Sequence, residues 1–237
     1  KIALAGNPNC GKTTMFNALT GANQYVGNWP GVTVEKKEGK CKENKDVIVT
    51  DLPGIYSLSP YTLEEVVSRD YLLKEKPEAI INLVDATNIE RNLYLTTQLL
   101  ELGIQVVIAL NMADLLEKNK ISIDTKALEK ELGCKVVKTS ALKGTGIHEV
   151  VKEAVTAAKK ESIVSGKIKF SKDTEAAVSE MEGQLPSSVL KEQKKWYAIK
   201  LLERDAKVLE QLKLTASVQN QVEKISAIME EKLDDDT

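Results

Sequence analysis

The chain has 237 residues, of which 33 are basic and 35 are acidic, and its formal net charge is −2. This balance, without a basic stripe, argues against a nucleic-acid-binding protein. No stretch approaches the roughly 18 uninterrupted apolar residues of a membrane span, and no signal-peptide pattern opens the chain. Cys10, Cys41 and Cys134 are too scattered for C-x-x-C metal spacing, which predicts free thiols in a reducing, cytoplasmic compartment.

The first predicted element is an apolar strand at residues 2–5, which runs into the sequence GNPNCGKT at residues 6–13. This is a G-x-x-x-x-G-K-[ST] phosphate-binding loop, in which backbone N–H groups face a diphosphate and Lys12 contacts the β- and γ-phosphates. Thr13 supplies a hydroxyl for Mg²⁺, and the following helix directs the positive end of its dipole at the same phosphates. The strand, loop and helix predict a nucleotide site; a Gly-rich turn without a ligand is the alternative.

The next segment, residues 25–35, has the sequence YVGNWPGVTVE (the Gly/Pro segment) and leads into a predicted strand at residues 34–41. P-loop proteins that hydrolyse nucleotides place a threonine in a mobile segment at this point of the chain, near Mg²⁺ and the γ-phosphate. Thr33 is the best candidate, because Thr20 ends a helix and Thr50 lies within a strand. The alternative is that Thr33 is a β-branched residue that begins a strand.

A predicted strand at residues 47–50 runs into the sequence DLPG at residues 51–54, which matches a D-x-x-G motif. Such a motif brings its aspartate, here Asp51, to Mg²⁺ through water, and its glycine N–H, here that of Gly54, to the γ-phosphate. Ile55 follows, where Ras-like GTPases have a glutamine that orients the attacking water. Isoleucine cannot orient water, so hydrolysis would depend on backbone groups and fixed charges.

A predicted strand at residues 106–110 ends in the sequence NMAD at residues 111–114, an N-x-x-D motif. The Asp114 carboxylate can accept hydrogen bonds from the N1–H and the amino group of guanine, a pair of donors that adenine lacks. Met112 replaces the usual lysine of this motif, which leaves guanine selectivity to Asn111 and Asp114. Taken alone, these two residues fit helix capping equally well, and the order of the motifs along the chain favours guanine binding.

The sequence TSA at residues 139–141, which follows a predicted strand at residues 136–139, places a backbone amide near the guanine O6. The other predicted elements of this region are a strand at residues 79–85 and helices at residues 63–73, 93–102, 125–132 and 147–160. This alternation predicts an α/β fold, a P-loop GTPase domain with a mostly parallel sheet at residues 1–160, with every motif at the carboxyl end of a strand. Helix formers then predict a small all-helical domain at residues 161–237, with helices near 173–182, 188–211 and 215–233.

The phosphate loop, the sequence DLPGIYSL at residues 51–58 and the NMAD motif, together with the GNWPGVTVE sequence of the Gly/Pro segment, resemble the bacterial ferrous iron transport protein B family, FeoB. The resemblance covers the whole chain: residues 1–160 resemble the GTPase domain, and the remainder resembles the helical spacer domain that precedes the membrane part. It implies hydrolysis of GTP to GDP and phosphate in the regulation of ferrous iron uptake, through a covalently continuous transmembrane domain. The implied location is the cytoplasmic face of the bacterial inner membrane, and a homo-oligomer is compatible with it.

The resemblance also implies hydrolysis stimulated by K⁺, which FeoB and similar GTPases hold with an asparagine of the phosphate loop and with carbonyls of the following segment. Asn9 matches this asparagine, and Gly27 and Trp29 would offer the carbonyls. The cation would stand where other GTPases have an arginine finger. No such arginine is evident in cis in this sequence, although Arg69 and Arg91 are available in principle. The alternative for Asn9 is a simple turn residue.

These interpretations define a set of site residues. The predicted nucleotide-binding residues are Gly6, Asn7, Pro8, Asn9, Cys10, Gly11, Lys12, Thr13, Thr14, Gly31, Val32, Thr33, Asp51, Pro53, Gly54, Asn111, Met112, Asp114, Ser140 and Ala141. The predicted catalytic residues are Asn9, Lys12, Thr33 and Gly54, and the predicted Mg²⁺ ligands are Thr13, Thr33 and Asp51. The expected cofactors are GTP or GDP, Mg²⁺ and K⁺. Two other functions stay open: a nucleotide-state switch with negligible turnover, and a ribosome- or tRNA-directed GTPase, which the acidic balance disfavours.

Overall fold

The computed structural model of the protein describes residues 1–22, 24–59, 61–160 and 170–233. These residues form two compact units: residues 1–100 and 104–160 belong to the first, and residues 101–103 and 170–233 to the second. The predicted domain boundary at residues 160 and 161 adjoins residues 161–169, which lie outside the described residues. In the part of the chain that the structure describes, no helix is both long enough and apolar enough to cross a bilayer.

Within the described residues, a mostly parallel sheet of seven strands forms the centre of the first unit. The strands are β1 (Ile2–Gly6), β2 (Gln24–Asn28), β3 (Glu35–Lys40), β4 (Ile48–Asp51), β5 (Ala79–Asp85), β6 (Val106–Asn111) and β7 (Lys135–Lys138). Their order across the sheet is β2-β3-β4-β1-β5-β6-β7. β1 is parallel to β4 and β5, and β6 is parallel to β5 and β7, whereas β3 is antiparallel to both of its neighbours.

Helices follow most of the strands and complete the first unit. They are α1 (Lys12–Thr20), α2 (Leu63–Glu75), α3 (Ile89–Glu101), α4 (Ala113–Lys118), α5 (Thr125–Leu132) and α6 (Ile147–Ala158). The second unit contains the helices α7 (Lys172–Gln184), α8 (Lys194–Leu202), α9 (Ala206–Leu212) and α10 (Ala216–Leu233). The predicted fold class, a P-loop α/β domain followed by helices, is confirmed.

The three central strands β1, β5 and β6 are buried along almost their whole length, because helices cover both faces of a parallel sheet. On one face, Leu4, Phe16, Val107 and Val150 belong to a single apolar cluster with almost no exposed surface. This packing fixes the strand ends relative to one another. The carboxyl ends of β1, β4 and β6, where the motifs begin, therefore lie along one edge of a rigid sheet.

Two elements were not predicted, and one predicted helix was wrong. The first missing element is β2, an exposed edge strand in the Gly/Pro segment, and the second is the short helix α4. The single helix expected at residues 188–211 is interrupted, since α8 ends at Leu202 and α9 begins at Ala206. The reason is local: Arg204 has a left-handed backbone with φ 51°, and the Asp205 side chain accepts a hydrogen bond from the Val208 N–H and begins a new helix.

Candidate nucleotide-binding site

The phosphate loop joins β1 to α1 and lines a cavity of about 460 Å³ (the phosphate cavity). Its lining residues are Asn7, Pro8, Asn9, Gly11, Lys12, Thr13, Thr14 and Gly54. Gly11 has φ +90°, and a Cβ there would lie 2.5 Å from Asn111 Nδ2, so no other residue fits without displacement. The N-terminus of α1 opens onto this cavity, and its free N–H groups favour an anion there.

A close ion pair lies beside the phosphate cavity. Lys12 Nζ is 2.6 Å from Asp51 Oδ1, and the two side chains are 12% and 9% exposed. Burial raises the pKa of the Asp51 carboxyl above its ordinary value, and the Lys12 ammonium opposes this rise. The loop therefore holds one cation and one anion at the edge where a phosphate and a divalent metal ion would bind.

The D-x-x-G segment packs directly on the phosphate loop. A Cβ at Gly54 would lie 3.3 Å from Pro8 Cα, and the Ile55 N–H donates a hydrogen bond of 3.2 Å to the Gly6 carbonyl. The Ile55 side chain is only 2% exposed and packs in the core. It therefore cannot reach a water molecule in the phosphate cavity.

A second cavity of about 250 Å³ (the base cavity) adjoins the same loop. Its lining residues are Gly11, Thr14, Asn111, Met112, Asp114, Leu115, Ser140, Ala141 and Leu142. The buried Asn111 carboxamide joins three segments: its Nδ2 donates to the Cys10 carbonyl at 2.9 Å, and its Oδ1 accepts from the Ala141 N–H at 2.9 Å. Asn111 thus fixes the two predicted base-binding loops against the phosphate loop.

The Asp114 carboxylate at the base cavity is held in its charged form. A hydrogen bond from Ser140 lowers the pKa of Asp114, and the Lys143 ammonium, 3.2 Å from Asp114 Oδ2, lowers it further. An ionised carboxylate accepts hydrogen bonds and donates none. This is the state required to accept two hydrogen bonds from a guanine edge.

The Gly/Pro segment lies apart from both cavities. Gly27 pairs with Lys36 in the β2–β3 ladder, Thr33 is exposed, and Trp29 is 7% exposed. Among the described residues that line the phosphate and base cavities, none comes from this segment, Gly31 and Val32 included. The structure therefore brings together the phosphate loop, the D-x-x-G motif and the base loops, but not the predicted Thr33, Gly27 and Trp29 ligands.

Residues 1–154 match the family model of ferrous iron transport protein B, and residues 170–237 match the model of the FeoB cytosolic helical domain. The chain belongs to the FeoB family. It is 44% identical over 209 residues to the Fe(2+) transporter FeoB of Escherichia coli (strain K12), which covers 86% of this chain and 27% of the relative. It is 53% identical over 159 residues to the Fe(2+) transporter FeoB of Salmonella typhi, and this match covers 65% of this chain and 20% of the relative. The chain thus spans about a quarter of the length of these FeoB transporters.

Solved FeoB structures share the fold of this chain. An Asn-to-Ala mutant of S. thermophilus NFeoB bound to mGDP superposes with a TM-score of 0.95 at 49% identity, over 99% of this chain and 90% of that one. A Glu-to-Ala variant of the same protein bound to GDP.AlF4− has a TM-score of 0.88 at 50% identity, over 99% and 92%. The mGMPPNP-bound protein has the same TM-score and identity, over 99% and 89%.

Two residues that contact the predicted motifs or the segment after them were not predicted from the sequence. Lys143 was missed as a partner of Asp114, although it follows the TSA motif by only two positions. Glu65 was missed as well: it forms a capping box with Thr62 at the start of α2 and accepts a hydrogen bond from Ser57 in the D-x-x-G loop. Glu65 therefore anchors this loop to α2, a contact that no local motif reveals.

Neither candidate arginine lines the phosphate cavity among the residues that the structure describes. Arg69 is 2% exposed within α2. The Arg91 guanidinium stacks on the Tyr56 ring, 4.3 Å from its centroid. The thiol of Cys10 stays protonated at neutral pH, because burial raises its pKa to about 11.

Proposed function

We propose that the chain is a GTP-hydrolysing N-terminal part of a ferrous iron transporter. The observation that supports this most is the Asn111 junction, which joins the base loops to the phosphate loop at one edge of the sheet. The S. thermophilus relatives bind GDP, mGMPPNP and GDP.AlF4−. The last of these combines the diphosphate product with a mimic of the phosphoryl group in transfer, which supports hydrolysis as the reaction.

The proposed binding roles follow from the two cavities. The N–H groups of the phosphate loop and the Lys12 ammonium bind the phosphates, for which Lys12 must leave Asp51. The Asp114 carboxylate accepts hydrogen bonds from the guanine edge. The Ala141 N–H, which donates to Asn111 Oδ1 in this structure, is the proposed contact of the guanine O6. Met112 packs against the base through its aliphatic side chain, and its left-handed backbone with φ 63° begins α4.

Mg²⁺ fits the donors beside the phosphate cavity, since it prefers oxygen ligands. Thr13 offers a hydroxyl at the cavity, and Asp51 offers a carboxylate that already binds a cation, the Lys12 ammonium. Thr33 would complete the set when the Gly/Pro segment reaches the nucleotide. Bound Mg²⁺ would neutralise charge on the β- and γ-phosphates.

K⁺ is the proposed activator, with Asn9 as its side-chain ligand. Asn9 lines the phosphate cavity, and no arginine shares that cavity among the described residues. The Gly27 and Trp29 carbonyls are proposed as further ligands. A bound K⁺ would supply the positive charge that an arginine finger supplies elsewhere, while the Gly54 N–H contacts the γ-phosphate.

The wider role rests on the FeoB family. The relatives named above are Fe(2+) transporters about four to five times as long as the matched segments. We therefore propose that a transmembrane domain continues the chain and that GTP turnover regulates iron uptake through it. In this arrangement residues 1–160 form the GTPase domain and residues 161–237 the helical spacer, at the cytoplasmic face of the inner membrane. Association into homo-oligomers belongs to the same proposal.

The selectivity for guanine can be tested at one residue. Asp114→Asn replaces the acceptor-only carboxylate by an amide that also donates, so GDP should bind at least about tenfold more weakly and XDP more tightly. Titration of fluorescent GDP and XDP against the wild-type chain and this variant measures both affinities. An unchanged GDP affinity would refute the assignment of the base cavity, and ADP serves as the control nucleotide.

A nucleotide-state switch with negligible turnover is the second candidate. Two observations favour it: Ile55 is buried, and neither Arg69 nor Arg91 lines the phosphate cavity. Both functions predict the same nucleotide affinities. The two functions differ in the turnover number for GTP. A GTPase hydrolyses GTP faster than the uncatalysed reaction, and a switch with negligible turnover does not.

A further inference from the structure

A third cavity of about 380 Å³ separates the Gly/Pro segment from α2. The apolar part of its lining comes from the Gly/Pro segment on one side (Trp29, Pro30 and Val32) and from α2 on the other (Val66, Val67 and Tyr71). Neither the nucleotide nor its metal ion is proposed to touch this cavity. One side of the cavity is the Gly/Pro segment, which contains Thr33. The other side is α2, the helix that follows the D-x-x-G motif.

Trp29 is held in this position from several directions. Its ring meets the Tyr71 ring edge to face, with centroids 5.2 Å apart and planes at 71°, and Lys36 Nζ lies 5.1 Å from its centroid. The backbone N–H of Trp29 donates to the Val34 carbonyl at 2.9 Å, and the backbone carbonyl of Trp29 accepts from the Val32 N–H at 3.2 Å. The docked ring and these two bonds close the loop that contains Thr33.

Tyr71, the partner of Trp29, is itself fixed to the sheet. Its hydroxyl donates to Thr50 Oγ1 at 3.0 Å, and Thr50 Oγ1 donates to Glu38 Oε1 at 3.0 Å. Thr50 immediately precedes Asp51 in β4. A contact path of three residues therefore runs from Trp29 to the strand that presents the Asp51 carboxylate.

The docked position of Trp29 is also imperfect. The indole Nε1 is buried and has no hydrogen-bond partner, a condition that disfavours burial of the ring. The adjoining cavity removes packing contacts that a filled site would provide. The ring contacts therefore favour the docked position, and the unsatisfied donor and the cavity oppose it.

We propose that Trp29 is a positioning residue, whose docking on Tyr71 withholds Thr33 and the rest of the Gly/Pro segment from the phosphate cavity. This inference rests on the proposed function, because a triphosphate offers the γ-phosphate that Thr33 would contact. Binding of the triphosphate then requires Trp29 to undock, whereas binding of the diphosphate does not. Any change that weakens docking favours the triphosphate over the diphosphate.

The test is the ratio of GDP to GMPPNP affinity, measured with the full chain at saturating Mg²⁺. Tyr71→Leu removes the edge-to-face partner and should shift this ratio toward GMPPNP by about fivefold. Tyr71→Phe keeps the ring but loses the hydroxyl bond to Thr50, so its shift should be in the same direction and smaller than that of Tyr71→Leu. Lys36→Gln removes the cation from the other face of Trp29 and should shift the ratio in the same direction, which covers the case that Tyr71→Leu does not fold.

Tryptophan fluorescence gives a second readout that general destabilisation would not mimic. The difference in emission between the wild-type chain and Trp29→Phe isolates Trp29 from Trp196, and this difference should shift to longer wavelength with GMPPNP but not with GDP. An unchanged affinity ratio in Tyr71→Leu and Lys36→Gln, with GDP binding intact, would overturn the docking proposal alone. If the wild-type chain bound neither GDP nor GMPPNP, the proposed function itself would be refuted.

Discussion

Asn9 has two separable roles, one in the backbone and one in the side chain. Its φ of 67° lies in the left-handed region, which asparagine tolerates and glycine adopts freely, whereas alanine is disfavoured there. Asn9→Ala should therefore lower the free energy of unfolding by about 1 kcal/mol, or the melting temperature by about 2–4 °C. Asn9→Gly should leave both close to wild type, because it removes the side chain without straining the backbone.

Both variants lack the carboxamide oxygen that is proposed to hold K⁺. Steady-state GTP hydrolysis in KCl and in NaCl of the same ionic strength should therefore show K⁺ stimulation in the wild-type chain and none in either variant. Thermal unfolding of the same samples should separate them, since only Asn9→Ala loses stability. If Asn9→Gly kept its K⁺ stimulation, Asn9 would act through its backbone, and the cation site would be refuted.

Two further predictions concern stability and charge. Arg204→Ala should lower the free energy of urea unfolding by about 1 kcal/mol, because the guanidinium pairs with two carboxylates of α10; this value is already reduced for solvent screening. Arg204→Gly should lose less stability, since the Arg204 backbone has φ 51°, which glycine adopts without strain. The lowered pKa of Asp114 means that its stabilising contribution is present at neutral pH and is lost as pH falls through that pKa. In carboxyl NMR titrations Ser140→Ala and Lys143→Ala should each raise this pKa, and a variant without such a rise would contradict the cause assigned to its residue.

The site could be predicted from the sequence where a motif follows a buried strand. Asp51 ends β4 and Asn111 ends β6, and parallel strands bring their carboxyl ends to one edge whatever the intervening chain does. The phosphate loop is equally local, because its glycines and Lys12 act through the backbone geometry of eight consecutive residues. The fold class followed from the same alternation of strands and helices.

Long-range contacts could not be predicted in this way. The position of the Gly/Pro segment depends on an aromatic contact between Trp29 and Tyr71, which are 42 positions apart, and on the pairing of β2 with β3. The interrupted helix depends on Arg204, whose left-handed backbone is accompanied by ion pairs with α10. No helical pattern marks such a break, because arginine is a favourable residue within a helix.

Steady-state hydrolysis of GTP by the wild-type chain tests the proposed GTPase activity most directly. The assay compares matched KCl and NaCl at saturating Mg²⁺, with ATP as the control substrate and Lys12→Ala as the control variant. We expect that K⁺ accelerates GTP turnover, that ATP is not hydrolysed and that Lys12→Ala is inactive. Equal rates in both salts, near that of uncatalysed GTP, would contradict it and would leave the chain as a nucleotide-state switch.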